Sequence, residues 1–249
     1  SRWSSSRDDR PLVTTTLLLG VVVLVGSFVQ ASLGFGIAVV AAPFVVLLEP
    51  ELMPASLLVL GLVLPLLQLL SGPRDVDRRL LGWALGGRLA LTPVGAWLVH
   101  VLPTRGIAVA VGLLVLVSTV LSIRTVETTA RPSTALGAGA ITGVSGTAAS
   151  IGGPFLAIVL QHEDPVRIRS TLSAFFVVGS SASLLSLAVS GQVTREQMTT
   201  SAVWVPFVVA GMLLARPVQD RLPRTAMRHG VLALCVLSSV VVTGRALLT

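Results

Sequence analysis

Of the chain's 249 residues, 53% are hydrophobic and only 12% charged, and the mean hydropathy is +0.89. A soluble globular domain is about one quarter charged, so this composition excludes one and specifies a polytopic membrane protein. The formal charge of +7 comes from eighteen Arg with no Lys. These lie between apolar runs, so they read as topology and head-group contacts, not as a nucleic-acid surface.

Apolar runs follow in chain order at 12–48, 54–71, 80–101, 105–123, 134–161, 169–190, 198–215 and 227–247. The charged leader SRWSSSRDDR and the run after it look like a secretory signal. No small-x-small cleavage site follows, and the apolar character continues to Leu48, which predicts a first membrane segment instead. Six runs suit single crossings. The runs 12–48 and 134–161 do not. At about 1.5 Å per residue, the 28 residues of the second reach about 42 Å against a hydrocarbon core of about 30 Å, too long for one crossing and too short for two. Each therefore predicts a broken or re-entrant helix pair.

The two anomalous runs echo one another. ASLGFGIAVVAAPFVVLL, from Ala31, and SGTAASIGGPFLAIVLQ, from Ser145, both close a stretch of small residues on Pro-Phe, 111 residues apart. A second echo links LPTRGIAVAVGLLVL from Leu102 with LPRTAMRHGVLAL from Leu222. The predicted fold is an all-α polytopic membrane protein of two inverted repeats, each a broken or re-entrant helix pair followed by three transmembrane helices. The boundaries are an N-terminal tail at 1–11, a first membrane repeat at 12–123, a linker at 124–132 and a second repeat at 133–249. Inversion follows because a broken pair enters and leaves on one side, so each repeat makes an odd number of crossings.

Charge orients this arrangement. The loops at 71–82, 124–132, 162–169 and 216–228 hold eleven Arg, and the opposite side holds six. The positive-inside rule then predicts a multi-pass cell-membrane protein with those loops and the linker cytoplasmic and both termini extracytoplasmic. Trp83 and Trp97 bracket one span as interfacial anchors or as packing residues. Cys235, the single cysteine, forms no intrachain disulfide and reads as a packing residue.

Backbone that leaves the helix inside a membrane needs protein or water partners. A half-helix starting there presents unpaired N–H groups and partial positive charge, which suits an anion. The candidate substrate-binding residues are Ser32, Gly34, Phe35, Gly36 and Pro43 in the first break, with Ser145, Gly146, Thr147, Ser150, Gly152, Gly153 and Pro154 in the second. The glycines permit the turn, while the hydroxyls either donate to ligand oxygens or back-bond to helix carbonyls. Arg88, in WALGGRLALTP, is the charge well inside a span. Either it meets the substrate, or it snorkels to the interface five residues away at Trp83.

All eleven carboxylates fall in loops or tails, which weakens a proton relay through membrane acids. Membrane potential suffices to drive anion export, at about 2.3 kcal/mol per charge per 100 mV. His162, beside Glu163 and Asp164, reads either as a proton sensor or shuttle at the cytoplasmic mouth or, in the preferred reading, as a solvated loop histidine. No metal site, cofactor site or catalytic set emerges. The partners implied are a small anionic substrate and the lipid bilayer, without nucleic acid, and the oligomeric state leaves no signal.

Two alternatives belong to other classes. GVSG, Gly143 to Gly146, also reads as the G-x-S-G stretch of a rhomboid-like intramembrane serine protease, with Ser145 as nucleophile. His100, His162 and His229 all fall at or beyond span ends, poorly placed to activate a mid-membrane serine. A non-transporting membrane scaffold is the other.

The two broken segments and the duplicated layout resemble the TauE/SafE sulfite-exporter family, also called TSUP, over nearly the whole chain. The resemblance implies a secondary transporter, an exporter, of small sulfur-containing anions such as sulfite, sulfoacetate or related organosulfonates. Ser32, Gly34, Gly36 and Pro43 occupy its first motif, and Ser145, Gly146, Gly152, Gly153 and Pro154 its second. The first copy departs from the second, with Ala41 and Ala42 where the repeat has Gly152 and Gly153. The expectation is that the two breaks meet near a pseudo-two-fold axis, hold an oxyanion and alternate in access as the halves rock.

Overall fold

The computed structural model describes residues 9–34, 36–123 and 129–217. Phe35, the echo from Leu222, the run 227–247 with Cys235, and His229 lie outside the described residues. Within them the regular structure is helical: α1 Asp9–Leu33, α2 Ile37–Leu48, a 3-10 turn at Pro50–Leu52, α3 Ala55–Ser71, α4 Arg78–Val101 and α5 Thr104–Ile123. Then come α6 Pro132–Ala149, α7 Gly153–Val159, α8 Pro165–Val189 and α9 Arg195–Ala215.

Both anomalous runs are interrupted where glycine and serine gather. The first breaks between α1 and α2, where Gly34 (φ 79°) and Gly36 (φ 100°) turn the chain through backbone angles that L side chains rarely adopt. The Gly34 N–H returns to Gln30 O at 2.8 Å and closes the last turn of α1. The second breaks between α6 and α7. There Ser150 takes the left-handed conformation (φ 60°), and its N–H and that of Ile151 both point back to Ser145 O. Pro154 sits in the first turn of α7, where its missing N–H costs nothing.

Among the described residues, three helices are long and apolar enough to cross a membrane: Thr14–Leu33 within α1, α8 and α9. At 24 residues α4 has the length, but it carries Arg78, Arg79 and Arg88. Trp83 and Trp97 both stand exposed on α4, as residues that meet lipid or its interface do.

The packing interlaces the two halves of the chain. α4 lies against α6, α1 against α9 and α3 against α8, with α4 also meeting α8 and α3 meeting α9. Exchanging α1 with α6, α3 with α8 and α4 with α9 turns this set of pairings into itself. One apolar core is built on α1, α2, α3 and α9, and another on α4, α6, α7 and α8. Each broken pair is thus covered by a helix from the other half.

The α4–α6 contact is made of backbone. A Cβ on Gly139 would lie 1.9 Å from Ala84 O, and one on Gly87 would lie 2.1 Å from Leu136 O. Gly143 faces Arg88 O in the same way, at 2.5 Å. Lipid supplies no hydrophobic drive between helices, so such close approach through small residues is how spans gain van der Waals contact. Gly139→Ala is expected to lower detergent-solubilised stability by roughly 1–3 kcal/mol through overpacking. Gly137→Ala, where nothing lies within 4 Å of the new Cβ, should be neutral or stabilising. Thermal melts of the pair read the difference.

Candidate functional site

The close α4–α6 approach carries Arg88 into the interior, where it is only 1% exposed. Arg88 is therefore not a snorkelling residue. Its guanidinium carbon stands 4.7 Å from the centre of the Phe175 ring. Gly179 makes room for it, since a Cβ there would fall 1.9 Å from Arg88 Nε. A desolvated cation over an aromatic face gains about 2 kcal/mol, far less than burying an ion costs. Nε and Nη1 have no hydrogen-bond partner. Among the described residues, no three of His, Cys, Asp and Glu gather as a metal-binding group.

Arg88 lines a central cavity of about 20 Å³ together with residues of both breaks: Gly36 and Ile37 from the first, Gly146, Ser150 and Gly152 from the second. Gln30, Gly61, Phe176 and Ser180 complete the polar and narrow parts of its wall. The space is that of about one water molecule. Gln30 Oε1 is buried without a partner, as are the hydroxyls of Ser27 and Ser32 on the same helix. The polar atoms around the cavity therefore comprise unpaired donors on Arg88 and an unpaired acceptor on Gln30.

The sequence-derived candidates divide in this conformation. Gly36, Arg88, Gly146, Ser150 and Gly152 line the cavity, whereas Ser32, Gly34, Pro43, Ser145, Thr147, Gly153 and Pro154 do not. Ser145 Oγ lies 2.7 Å from Ile151 O and 2.9 Å from Ile141 O, so its proton is used within the second break. Thr147 Oγ1 pairs with Ser183 Oγ at 2.8 Å and ties α6 to α8. Ser150 Oγ donates to Pro54 O at 3.0 Å.

Several residues at the site were not singled out from the sequence. Gln30, an amide in an otherwise apolar run, carried a readable signal. Phe175, Gly179 and Ser180 carried none, because nothing in FFVVGSSAS says which residue meets Arg88. Thr142 clamps the second break, with Oγ1 at 2.8 Å from Ala138 O and 3.2 Å from Gly152 O. A Cβ on Gly152 would come within 2.2 Å of Thr142 Cγ2, so glycine is what allows this clamp to close.

The two ends of the bundle differ. At one, Gln197 Nε2 donates to Glu51 O (2.9 Å) and Met53 O (3.1 Å), binding α9 to the turn after α2. Ser201 Oγ reaches Ser56 O at 3.3 Å and adds to this seam. At the other, a cavity of about 400 Å³ opens between α3 and α8.

Helices of membrane-spanning length, with two of the chain's apolar runs broken, define a polytopic membrane protein. The family described as Sulfite exporter TauE/SafE matches residues 18–242. The chain belongs to the TauE/SafE sulfite exporter family. Comparisons with curated proteins and with solved structures give no match.

Two stability tests follow from the site. Thr142→Val keeps the shape but removes the hydroxyl bond to Gly152 O across the break, and should cost about 0.5–1.5 kcal/mol in thermal melts. Arg88→Met removes a buried charge that lacks a carboxylate, and is expected to raise stability by roughly 1–4 kcal/mol, the range for replacing buried ionic groups by apolar ones.

Proposed function

We propose that this transporter exports small sulfur-containing oxyanions, sulfite or short organosulfonates, through a central site where Arg88 supplies the charge. The observation that carries this reading is Arg88 itself: buried, unpaired at Nε and Nη1, and lining a cavity shared by both breaks. A guanidinium in such a setting is compensated by an oxyanion, which it meets through charge-assisted hydrogen bonds. Ile37 and Ala38, in the first turn of α2, line the same cavity, at the end of a half-helix that carries partial positive charge. Ser150 joins them from the second break when its hydroxyl leaves Pro54 O.

Alternating access follows from the same reading. A cavity of about 20 Å³ is too small for a four-atom oxyanion, so the site opens as it loads. The conformation described is sealed at the Gln197 end and open at the α3–α8 end. Arginine distribution assigns the open end to the cytoplasm, which suits loading for export. The two halves, interlaced through α4–α6 and α1–α9, would rock as inverted repeats about the shared cavity. An anion leaving a negative interior gains about 2.3 kcal/mol per charge per 100 mV.

The protease alternative gains no support from Ser145. Its hydroxyl is engaged with backbone carbonyls, and His100 pairs with Gln192 at an exposed position. Proteoliposomes loaded with sulfite and given an imposed potential test the proposal. Efflux from vesicles with a negative interior is expected to exceed efflux at zero potential, and Arg88→Gln to lower it at least about tenfold, the loss of one charge-assisted contact. No anion flux at any voltage would sink the idea.

A further inference from the structure

The 400 Å³ cavity at the α3–α8 end has a chemistry of its own. Its charged wall residues are Arg169 on α8 and Arg216 just after α9, and its polar ones include Gln68, Ser170 and Ser173. Among the described residues no carboxylate lines it. The described acids nearby are engaged elsewhere: Asp75 and Glu163 pair with Arg167, at 3.2 and 3.4 Å. Asp77 caps α4 through the Leu80 N–H, and Asp164 caps α8 through the Val166 N–H. Arg169 lies two residues beyond Arg167, about 200° further round the helix, so one arginine serves the ion pairs and the other faces the cavity.

The rim of this cavity is already held in shape. Ser170 Oγ donates to Pro73 O at 2.9 Å and accepts the Asp75 N–H at 3.3 Å. Thr171 Oγ1 accepts the Asp77 N–H at 3.0 Å. These bonds strap the segment between α3 and α4 onto the start of α8. Gln68 accepts the Ser173 hydroxyl through Oε1 at 3.4 Å, which leaves its amide N–H donors for a ligand. Ala31, Leu69 and Met212 add an apolar wall.

We infer that this vestibule is a second anion-binding site, in which Arg169 and Arg216 collect a small oxyanion, bare or with a short apolar tail, before it reaches Arg88. The inference rests on the anion-transport reading above. Size separates the two sites: the vestibule accommodates an oxyanion and some of its water, while the central cavity admits about one water. Position links them. Ser173 lines the vestibule, and Phe176, less than one turn further along α8, lines the central cavity. The Phe176 ring tip lies 3.8 Å from where a Cβ on Gly36 would stand, so it packs against the first break at the edge of the central cavity. Ser173 to Ser180 spans about 10 Å of helix, a short step for an anion handed from one arginine site to the next.

Titration calorimetry on the detergent-purified full chain, with sulfite and separately with methanesulfonate, tests this. Wild type is expected to bind at two sites. Arg169→Gln/Arg216→Gln should lose one of them, weakening the first binding event at least about tenfold. Arg88→Gln should retain the vestibule site, and methanesulfonate should bind it. Arg167→Gln, which removes one positive charge at the same end but outside the cavity wall, should bind as wild type does. The vestibule site is overturned if the double variant binds with wild-type stoichiometry and affinity, or if Arg167→Gln weakens binding as much as it does. Binding by Arg88→Gln indistinguishable from wild type, with loss in the double variant, would remove the central site and leave the vestibule standing. No binding by wild type would overturn both.

Discussion

Gly87, Gly139 and Gly143 let α4 and α6 meet backbone to backbone, and that contact brings Arg88 to the centre of the bundle. At an ordinary helix separation its side chain would have room to reach the membrane surface and keep its charge in water. Held as it is, between Gly146, Gly179 and the Phe175 ring, the guanidinium has a shaped place but no counter-charge among the described residues. Everything distinctive about the site follows from that mismatch. A buried cation with unpaired N–H groups is unfavourable alone and favourable with an oxyanion beside it. On the proposed reading, stability and function pull in opposite directions at this one residue.

The breaks serve the same end by different means. In the first, glycines at positive φ reverse the chain with little side-chain bulk, and Phe176 closes against Gly36. In the second, hydroxyls do the holding. Thr142 and Ser145 donate to the carbonyls of Gly152 and Ile151 across the interruption. The two breaks are alike in sequence position but not in bonding. The first leaves Gln30, Ser27 and Ser32 with unused polar atoms, whereas the hydroxyls of the second are bonded within the break or to α8 and Pro54. Local opening meets less resistance where fewer hydrogen bonds must be exchanged, and the first break holds fewer of them.

Much of the fold was legible because membrane segments obey a length rule. A run too long for one crossing and too short for two has to be interrupted, and glycine, serine and proline mark where; the breaks fall at 34–36 and 150–152. The site was legible only in part. Glycines 36, 146 and 152 and Ser150 were expected at the ligand and do line the cavity. Ser145 and Thr147 were expected there for the same reason, yet in this conformation they spend their hydroxyls on Ile151 O and Ser183. A hydroxyl in an apolar run serves equally as ligand donor or as backbone partner, and composition does not distinguish the two.

The sequence by itself determined the class of protein, the number of interruptions and their places, because these depend on hydropathy, run length and the conformational demands of single residues. Its motif spacing also carried the family. Tertiary structure alone decided the fate of Arg88. Whether an arginine five residues from an interfacial tryptophan turns outward or inward depends on which helix packs against it and how closely. That closeness is set by glycines some fifty residues away on α6, and by Gly179 more than ninety residues away on α8. Contacts over such separations leave no local pattern to read, so the charge at the centre of the site emerges only once the helices are assembled.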